Sequence, residues 1–272
     1  RAVGDAPGLA GNPPALRALV VEDDSVTQQL SARMLQQLGF QARVAENGQQ
    51  APDLLARERY DAVLPDYNPA DMPGAELARQ IAARSPAGKR PYLVALSAHS
   101  HDELRVLFSN APIDAFLAKP VPLAALRSTL AKVAPHQHGD GAPDLPARAD
   151  EPAPAAARPS DHAMLDQTFA VFGDAAANTI RHIVTRFLDD AQLAAAAIHA
   201  AAARGDTGTL QHQAHKLKSS SLMVAATPLA ARCDDLERAA IAGQPADWGA
   251  LAQRIDDELG RVRPVLLRYS ER

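Results

Sequence analysis

The sequence holds a single cysteine, Cys233, and aromatic residues make up only 4% of its 272 positions. One cysteine excludes an internal disulfide framework and is consistent with a reducing compartment. No stretch approaches 18 uninterrupted apolar residues, so we expect no membrane-spanning helix. Positive and negative side chains are nearly balanced, with 28 Lys and Arg, 32 Asp and Glu and a net charge of −4. That balance gives no long-range attraction for polyanions, and we expect no nucleic-acid partner.

Apolar residues are plentiful at 47%, which is enough for buried cores. The length fits two domains of roughly 100 to 150 residues each. Residues 136–160 hold five prolines and one large aliphatic residue, so we predict a Pro/Ala-rich linker there, and residues 1–15 have the character of another linker. Two ordered blocks remain, 16–135 and 161–272. The opening residues resemble neither a signal peptide nor a natural start, and we expect the chain to be part of a longer protein.

Short β-rich runs alternate with helical patterns in the first block. We predict strands at 18–21, 42–45, 62–64, 92–96 and 115–117. We predict helices near 26–38, 49–58, 75–84, 102–109 and 122–133. Strands that are apolar on both faces imply an α/β fold with a doubly wound, five-stranded parallel sheet. Ligands of such sheets bind outside the carboxyl ends of the strands, so chemistry is expected in the residues after each strand.

The second block contains no strand-like run. Gly and Pro signals separate a short helix near 161–172 from long helices near 175–203, 207–225, 228–242 and 246–268. Four long helices with short connections predict an all-α, antiparallel four-helix bundle.

Polar residues follow the predicted strands of the first block. Glu22 and Asp23 come after the first strand, Asp66 after the third, Ser97 after the fourth and Lys119 after the fifth. Three carboxylates at one rim repel one another without a cation, and oxygen ligands of this kind suit Mg²⁺. A metal there would neutralise a phosphoryl group arriving at Asp66. Lys119 would supply a second positive charge and Ser97 a hydrogen bond, so the rim is typical of phosphoryl transfer to a carboxylate nucleophile.

These motifs resemble those of response-regulator receiver domains over nearly all of residues 16–135. The matching pieces are Leu19-Val20-Val21-Glu22-Asp23-Asp24, Tyr60-Asp61-Ala62-Val63-Leu64-Pro65-Asp66-Tyr67-Asn68, Leu96-Ser97-Ala98 and Phe116-Leu117-Ala118-Lys119-Pro120. The resemblance implies that Asp66 is the phosphoacceptor and that Glu22, Asp23, Asp66 and the backbone carbonyl of Asn68 hold Mg²⁺. It also implies switch roles for Ser97 and Phe116 and a cis peptide at Lys119-Pro120.

Two features depart from that family pattern. Pro65 directly precedes Asp66 and lacks an amide hydrogen, and Pro69-Ala70 stands where the family usually has Met-Pro. The sequence therefore does not determine the geometry of the loop after Asp66. The alternative of a degenerate receiver, which keeps the fold and no longer takes phosphate, stays open.

One histidine of the second block lies off the apolar stripe of its helix. Leu210, Ala214, Leu217 and Ser221 recur at helical spacing and mark the inward face. His215 lies roughly 140° from Leu210 around the helix, so we predict that it is exposed. A neutral imidazole nitrogen on a rigid helix can act as a nucleophile near pH 7.

The run His215-Lys216-Leu217-Lys218-Ser219 resembles the His-x-Leu-Lys-Gly signature of histidine-containing phosphotransfer (HPt) domains. The resemblance extends over most of 161–272 and implies that His215 is the phosphohistidine. Lys218 and Gln211 carry over as supporting groups, and Lys218 is expected to pair with the phosphoryl oxygens. Ser219 replaces the usual glycine and is small enough to let another protein approach.

A receiver followed by an HPt domain resembles the C-terminal part of an unorthodox hybrid sensor histidine kinase. The resemblance implies that phosphate passes from an upstream kinase histidine, in the same polypeptide, to Asp66, then to His215 and onward to a separate response regulator. It implies a cytoplasmic module of a parent protein anchored in the inner membrane, without direct membrane contact by this chain. The sequence has no ATP-binding motif, so we do not expect kinase activity from the chain alone.

Two other functions stay open from the residues. In one, a silent receiver serves as a protein-docking module, with phosphotransfer limited to the bundle or absent. In the other, the carboxylate rim belongs to a metal-dependent hydrolase of small phosphate esters, which would be indifferent to His215.

Overall fold

The computed structural model describes residues 15–66, 72–85, 90–98, 108, 110–133, 165, 166, 168–170, 177–243 and 247–271. Its first part, called the sheet region below, is a five-stranded sheet in which all neighbouring strands run parallel. The strands are β1 Arg17–Val21, β2 Gln41–Ala45, β3 Ala62–Pro65, β4 Tyr92–Ser97 and β5 Ala115–Ala118. Their order, β2-β1-β3-β4-β5, confirms the doubly wound prediction. Because β1 and β3 are neighbours near the centre, the residues after these two strands meet at one edge.

Helices connect the strands of the sheet region. They are α1 Ser25–Gln37, α2 Gln50–Arg57, α3 Gly74–Arg84 and α4 Leu123–Leu130. Asp24 caps α1, since its Oδ1 accepts a hydrogen bond from the Thr27 amide at 2.8 Å. The helix predicted near 102–109 lies outside the described residues, apart from position 108.

Pro65 interrupts the pairing of β3 with β4 without breaking the sheet. The two strands pair at Ala62 and Val63, and pairing resumes as an isolated bridge between Asp66 and Leu96. Proline has no amide hydrogen to give to the ladder, which explains the gap. On its other side Pro65 stays in register with Val21 of β1, and the Asp66 amide donates to the Val21 carbonyl at 2.8 Å. The backbone of Asp66 is therefore anchored at the end of β3, although Pro65 precedes it.

The second part of the chain, called the bundle below, consists of helices. The long ones are α5 Ala177–Arg204, α6 Thr207–Met223, α7 Thr227–Ala242 and α8 Trp248–Ser270. Gly205 and Gly243 end α5 and α7 with φ of 64° and 60°, a left-handed conformation that favours glycine. Cys233 is buried, and burial raises the pKa of its thiol. The predicted linkers, 1–15 and 136–160, lie outside the described residues apart from position 15.

The sheet region and the bundle pack against each other through α1, which contacts α5 and α6. A single cluster of buried apolar side chains runs from the sheet, through Leu30 and Met34 of α1, into the bundle core. At its edge the contact is polar: Ser25 donates to Asp190 at 3.3 Å and accepts from Arg186 at 3.1 Å. Among the described residues, no helix has both the length and the apolar character needed to cross a membrane.

Candidate functional site

Three carboxylates converge at the carboxyl edge of the sheet, as the sequence predicted. Glu22 and Asp23 follow β1 and Asp66 follows β3, and one oxygen from each lies within 4.8 Å of the others. Glu22 and Asp66 are buried, whereas Asp23 is half-buried. Asn68, the fourth predicted metal ligand, lies outside the described residues. The three described carboxylates form a compact oxygen-ligand cluster of the kind that a small divalent cation takes.

Lys119 lies among these carboxylates. Its Nζ donates to Glu22 Oε2 at 2.9 Å and to Asp66 Oδ1 at 2.8 Å, and its side chain is fully buried. The peptide between Lys119 and Pro120 is cis, as the resemblance implied. Burial alone would lower the pKa of Lys119, but Asp66 and Glu22 raise it, so the ammonium stays charged.

Burial has the opposite effect on Glu22. Removal from water, and next the charge of Asp66, raise the pKa of Glu22 to about 8, although Lys119 works against the rise. Three carboxyl groups face one lysine at this rim, and a divalent cation bound there would favour the ionised form of Glu22.

Ser97 is the last residue of β4 and is completely buried. Its carbonyl accepts a hydrogen bond from the Lys119 amide at 2.7 Å, which joins the end of β4 to the residue that follows β5. Phe116 on β5 is half-buried, and its ring meets that of Phe108 edge-on with 5.4 Å between the centroids.

His215 is 7% exposed, so the prediction of an exposed imidazole is wrong for this arrangement. The helical phase placed it correctly off the core stripe of α6, but the sheet region packs over that face. His215 and Asp66 line the same small cavity, of about 10 Å³, together with Asp23, Lys216 and Ser219. The arrangement brings the predicted nucleophile of the bundle to the predicted phosphoacceptor of the sheet region.

Glu237 of α7 fixes the orientation of the His215 ring. His215 Nδ1 and Glu237 Oε1 are 2.7 Å apart. Burial would raise the pKa of Glu237, but the hydrogen bond and charge of His215, and the charge of Lys218, hold it at about 2. A carboxylate that stays ionised only accepts hydrogen bonds, so Nδ1 carries the proton and the lone pair of the neutral ring is on Nε2.

Lys218 belongs to this second cluster and does not line the cavity that His215 and Asp66 share. Its Nζ donates to Asp234 Oδ1 at 2.8 Å and to Glu237 Oε2 at 3.0 Å. Sequence reasoning expected Lys218 to pair with phosphoryl oxygens, whereas its contacts here reach the histidine through Glu237. Gln211, the other predicted supporting group, is exposed.

Glu237 and Lys216 are among the residues of the site that carried no predicted role. Glu237 lies beside the buried stripe Leu229, Cys233, Leu236 of α7, and a carboxylate on the flank of such a stripe was an available signal. Lys216 had no comparable signal, because it approaches Asp23, at 4.0 Å, only when the two parts of the chain pack together.

Family models match both parts of the chain. The model of the response regulator receiver domain matches residues 18–131, and that of the Hpt domain matches residues 182–264.

Curated relatives extend the similarity. The sensory/regulatory protein RpfC of Xanthomonas campestris pv. campestris is 27% identical over 254 residues, which cover 93% of this chain and 34% of that protein. The aerobic respiration control sensor protein ArcB of Escherichia coli is 34% identical over 119 residues, or 44% of this chain and 15% of that protein. The chain thus spans about a third of the length of RpfC.

Solved structures similar to this chain include receiver domains. One is the receiver domain of the sensor histidine kinase PA1611 from Pseudomonas aeruginosa, described with magnesium in its active-site cleft; it is 31% identical with a TM-score of 0.41. Another is a CheY-like receiver domain from Methylobacillus flagellatus, 30% identical with a TM-score of 0.40. Each covers 44% of this chain, and the match takes in 98% of each of those chains.

Proposed function

Because the chain comprises a response regulator receiver domain followed by an Hpt domain, we propose that it is a phosphorelay module in which Asp66 accepts a phosphoryl group and passes it to His215. The cavity that Asp66 and His215 share carries this proposal. Transfer then occurs within one molecule, because both groups belong to the same packed chain. A cavity of about 10 Å³ has room for about one water molecule, so the packed arrangement keeps bulk water away from Asp66.

Magnesium is the proposed metal. Glu22, Asp23 and Asp66 would hold it, since their oxygens lie within 4.8 Å of one another and hard oxygen ligands suit this ion. The carbonyl of Asn68 remains a predicted fourth ligand. When bound, the ion supplies positive charge against the phosphoryl oxygens.

The transfer itself exchanges one phosphorus bond for another. The Nε2 lone pair of His215 forms a bond to phosphorus while the bond between phosphorus and the Asp66 oxygen breaks, and the electron pair of that bond returns to the carboxylate. The proton on Nδ1 stays in place, held toward Glu237 at 2.7 Å. Glu237 thereby stabilises the positive charge that develops on the ring.

Lys119 and Ser97 complete the proposed site on the side of the sheet. The Lys119 ammonium, 2.8 Å from Asp66 Oδ1, is close enough to turn toward a phosphoryl group on that carboxylate. Ser97 is proposed to donate a hydrogen bond to a phosphoryl oxygen, from its position at the end of the neighbouring strand β4.

The wider relay is proposed from the relatives. RpfC and ArcB are named as sensory or sensor proteins, and this chain matches a part of each. We propose that a histidine kinase domain of the same polypeptide phosphorylates Asp66 and that a separate response regulator receives the group from His215. The module would work in the cytoplasm, in a parent protein anchored in the inner membrane.

The test uses a small phosphodonor, phosphoramidate, with Mg²⁺ and the full chain. Wild type should acquire both a hydroxylamine-sensitive acyl phosphate and an acid-labile phosphohistidine. Asp66→Asn should acquire neither, whereas His215→Gln should keep the acyl phosphate and lose the phosphohistidine. Unlabelled wild type would instead support the protein-docking module. Turnover of small phosphate esters that His215→Gln leaves unchanged would support the hydrolase.

Transfer within one molecule has its own test. An equimolar mixture of Asp66→Asn and His215→Gln chains should form phosphohistidine far more slowly than wild type, and the rate should rise with concentration. A wild-type rate that itself depends on concentration would contradict transfer within one molecule.

A further inference from the structure

Ser219 of the bundle contacts Lys119 of the sheet region. The Lys119 ammonium has three hydrogens, and it donates to Glu22 Oε2 at 2.9 Å, Asp66 Oδ1 at 2.8 Å and Ser219 Oγ at 2.9 Å. Two acceptors come from the sheet region and the third comes from α6. The bundle therefore supplies the contact that saturates the buried lysine.

The position of Ser219 brings this contact next to the reacting groups. Ser219 lies four residues after His215, so both side chains occupy the same face of α6. It is 3% exposed and lines the cavity that Asp66 and His215 share. Its oxygen accepts from Lys119, and its own hydroxyl hydrogen can be donated toward the cavity.

The HPt signature that the sequence resembles has glycine where this chain has Ser219, so the hydroxyl is a difference from that signature. Glycine offers no side-chain acceptor, so it would leave the third hydrogen of Lys119 to water. Ser220, the next residue, has a different use for its hydroxyl: it bonds to the carbonyls of Lys216 and Leu217 in its own helix, at 3.2 and 3.3 Å. The contact with Lys119 is thus made by the serine at position 219 and not by its serine neighbour at position 220.

We propose that Ser219 is a positioning residue for transfer from Asp66 to His215, an inference that rests on the proposed function. Ser219 holds the Lys119 ammonium next to the donor carboxylate, and the two partners of that ammonium, Asp66 and Ser219, both line the cavity that the acceptor imidazole lines. The phosphoryl group carries its negative charge away from Asp66, beside that ammonium. A cation already held close to the donor carboxylate stabilises the transition state with little reorganisation during the reaction.

The experiment follows phosphoryl movement in the full chain by rapid quench after mixing with phosphoramidate and Mg²⁺. Ser219→Ala and Ser219→Gly should lower the rate constant from acyl phosphate to phosphohistidine about tenfold, the scale of one hydrogen bond to a charged group. The rate at which Asp66 acquires phosphate, measured with His215→Gln also present, should not change. Ser219→Thr keeps the hydroxyl and should restore most of the rate.

Ser220→Ala is the matched control, since it removes a neighbouring buried hydroxyl whose hydrogen bonds to described residues stay within its own helix, and it should transfer at the wild-type rate. Wild-type transfer by Ser219→Ala and Ser219→Gly would overturn the inference. Equal slowing of Ser219→Ala and Ser220→Ala, or no rescue by Ser219→Thr, would also overturn it, because a packing defect would then explain the loss. In both cases wild type still transfers to His215 and the proposed function stands. If wild type forms no phosphohistidine, the proposed function fails, and this inference fails with it.

Discussion

Replacement of Glu237 by glutamine should disable His215 without removing it. Two donors need an acceptor from Glu237: the Nδ1 hydrogen of His215 at Oε1 and the ammonium of Lys218 at Oε2. A carboxamide has one oxygen and one NH₂ group, so it can satisfy only one of them. Lys218 cannot accept a hydrogen bond, so the amide oxygen should turn toward it and the NH₂ group toward His215. The ring would then carry its proton on Nε2, the atom that is proposed to attack phosphorus.

The magnitude follows from the charge that is lost. A hydrogen bond to a charged group contributes about 1.5 to 3 kcal/mol, and about 1.4 kcal/mol corresponds to a tenfold change in rate. Glu237 is 3% exposed, so solvent screens this contact little. We therefore expect Glu237→Gln to slow transfer from Asp66 to His215 by about 10- to 100-fold. Phosphate uptake by Asp66 should be unaffected, because Glu237 lies in the bundle.

Rapid-quench transfer and ¹⁵N NMR of the His215 ring measure the rate and the tautomer independently. Asp234→Asn is a control, because Asp234 also accepts from Lys218, at 2.8 Å, but its only described partners are Lys218 and Arg238. Lys218→Met added to Glu237→Gln should recover part of the rate, since the amide oxygen is then available to His215. Unchanged tautomer and rate in Glu237→Gln would refute the reasoning. A double variant slower than either single one would indicate that Lys218 contacts the phosphoryl group directly, as the sequence predicted.

Three further outcomes are expected. Leu210→Ala should lower the free energy of unfolding of the bundle by about 2 to 5 kcal/mol in urea, because Leu210 is completely buried, whereas the exposed Leu193→Ala should change it little. The pKa of Glu237 is about 2 in the folded chain and near 4.5 in the unfolded chain, so its ionised form stabilises the fold fully above pH 4.5. This contribution to the free energy of unfolding, up to about 3 kcal/mol, should disappear as the pH falls from 4.5 to 2. Glu237→Gln should lack that part of the pH dependence when unfolding is measured across the same range. Lys216→Glu puts a negative charge beside the carboxylates of the sheet region and should slow transfer within the molecule several-fold, whereas the exposed Arg254→Glu on α8 should not.

The rim of carboxylates was predictable because parallel strands determine it. The carboxyl ends of β1, β3 and β5 lie on one edge, so Glu22, Asp66 and Lys119 had to meet once the strands were recognised. Pro65 disturbs the position of Asp66 less than the sequence indicated. Its missing amide hydrogen affects only the ladder with β4, while the contact with β1 still anchors Asp66.

The second cluster was less predictable, because it depends on how α6 and α7 cross. Helical periodicity assigns His215 to a face of α6, but it does not state which residue of α7 lies opposite. Glu237 therefore had no predicted role although its type and its flanking stripe were visible. Burial of His215 was missed for a similar reason: periodicity within α6 reports the bundle core and carries no information about the sheet region that covers the other face.

Burial of His215 has a consequence for onward transfer. In the proposed relay, a phosphoryl group on this imidazole would be covered by the sheet region of the same chain, so the two parts would have to move apart before a separate regulator could reach it. The polar contacts at the edge, Ser25 with Asp190 and Arg186, are partly exposed and of a kind that contributes little stability, so the main cost of separation is exposure of the apolar side chains that join α1 to the bundle. The Ser219 contact with Lys119 is buried, but it is one hydrogen bond. Phosphorylation of Asp66 would change the charge around that lysine, but transfer to His215 restores the carboxylate, so the contact would be perturbed while Asp66 holds the phosphoryl group and not after His215 has received it.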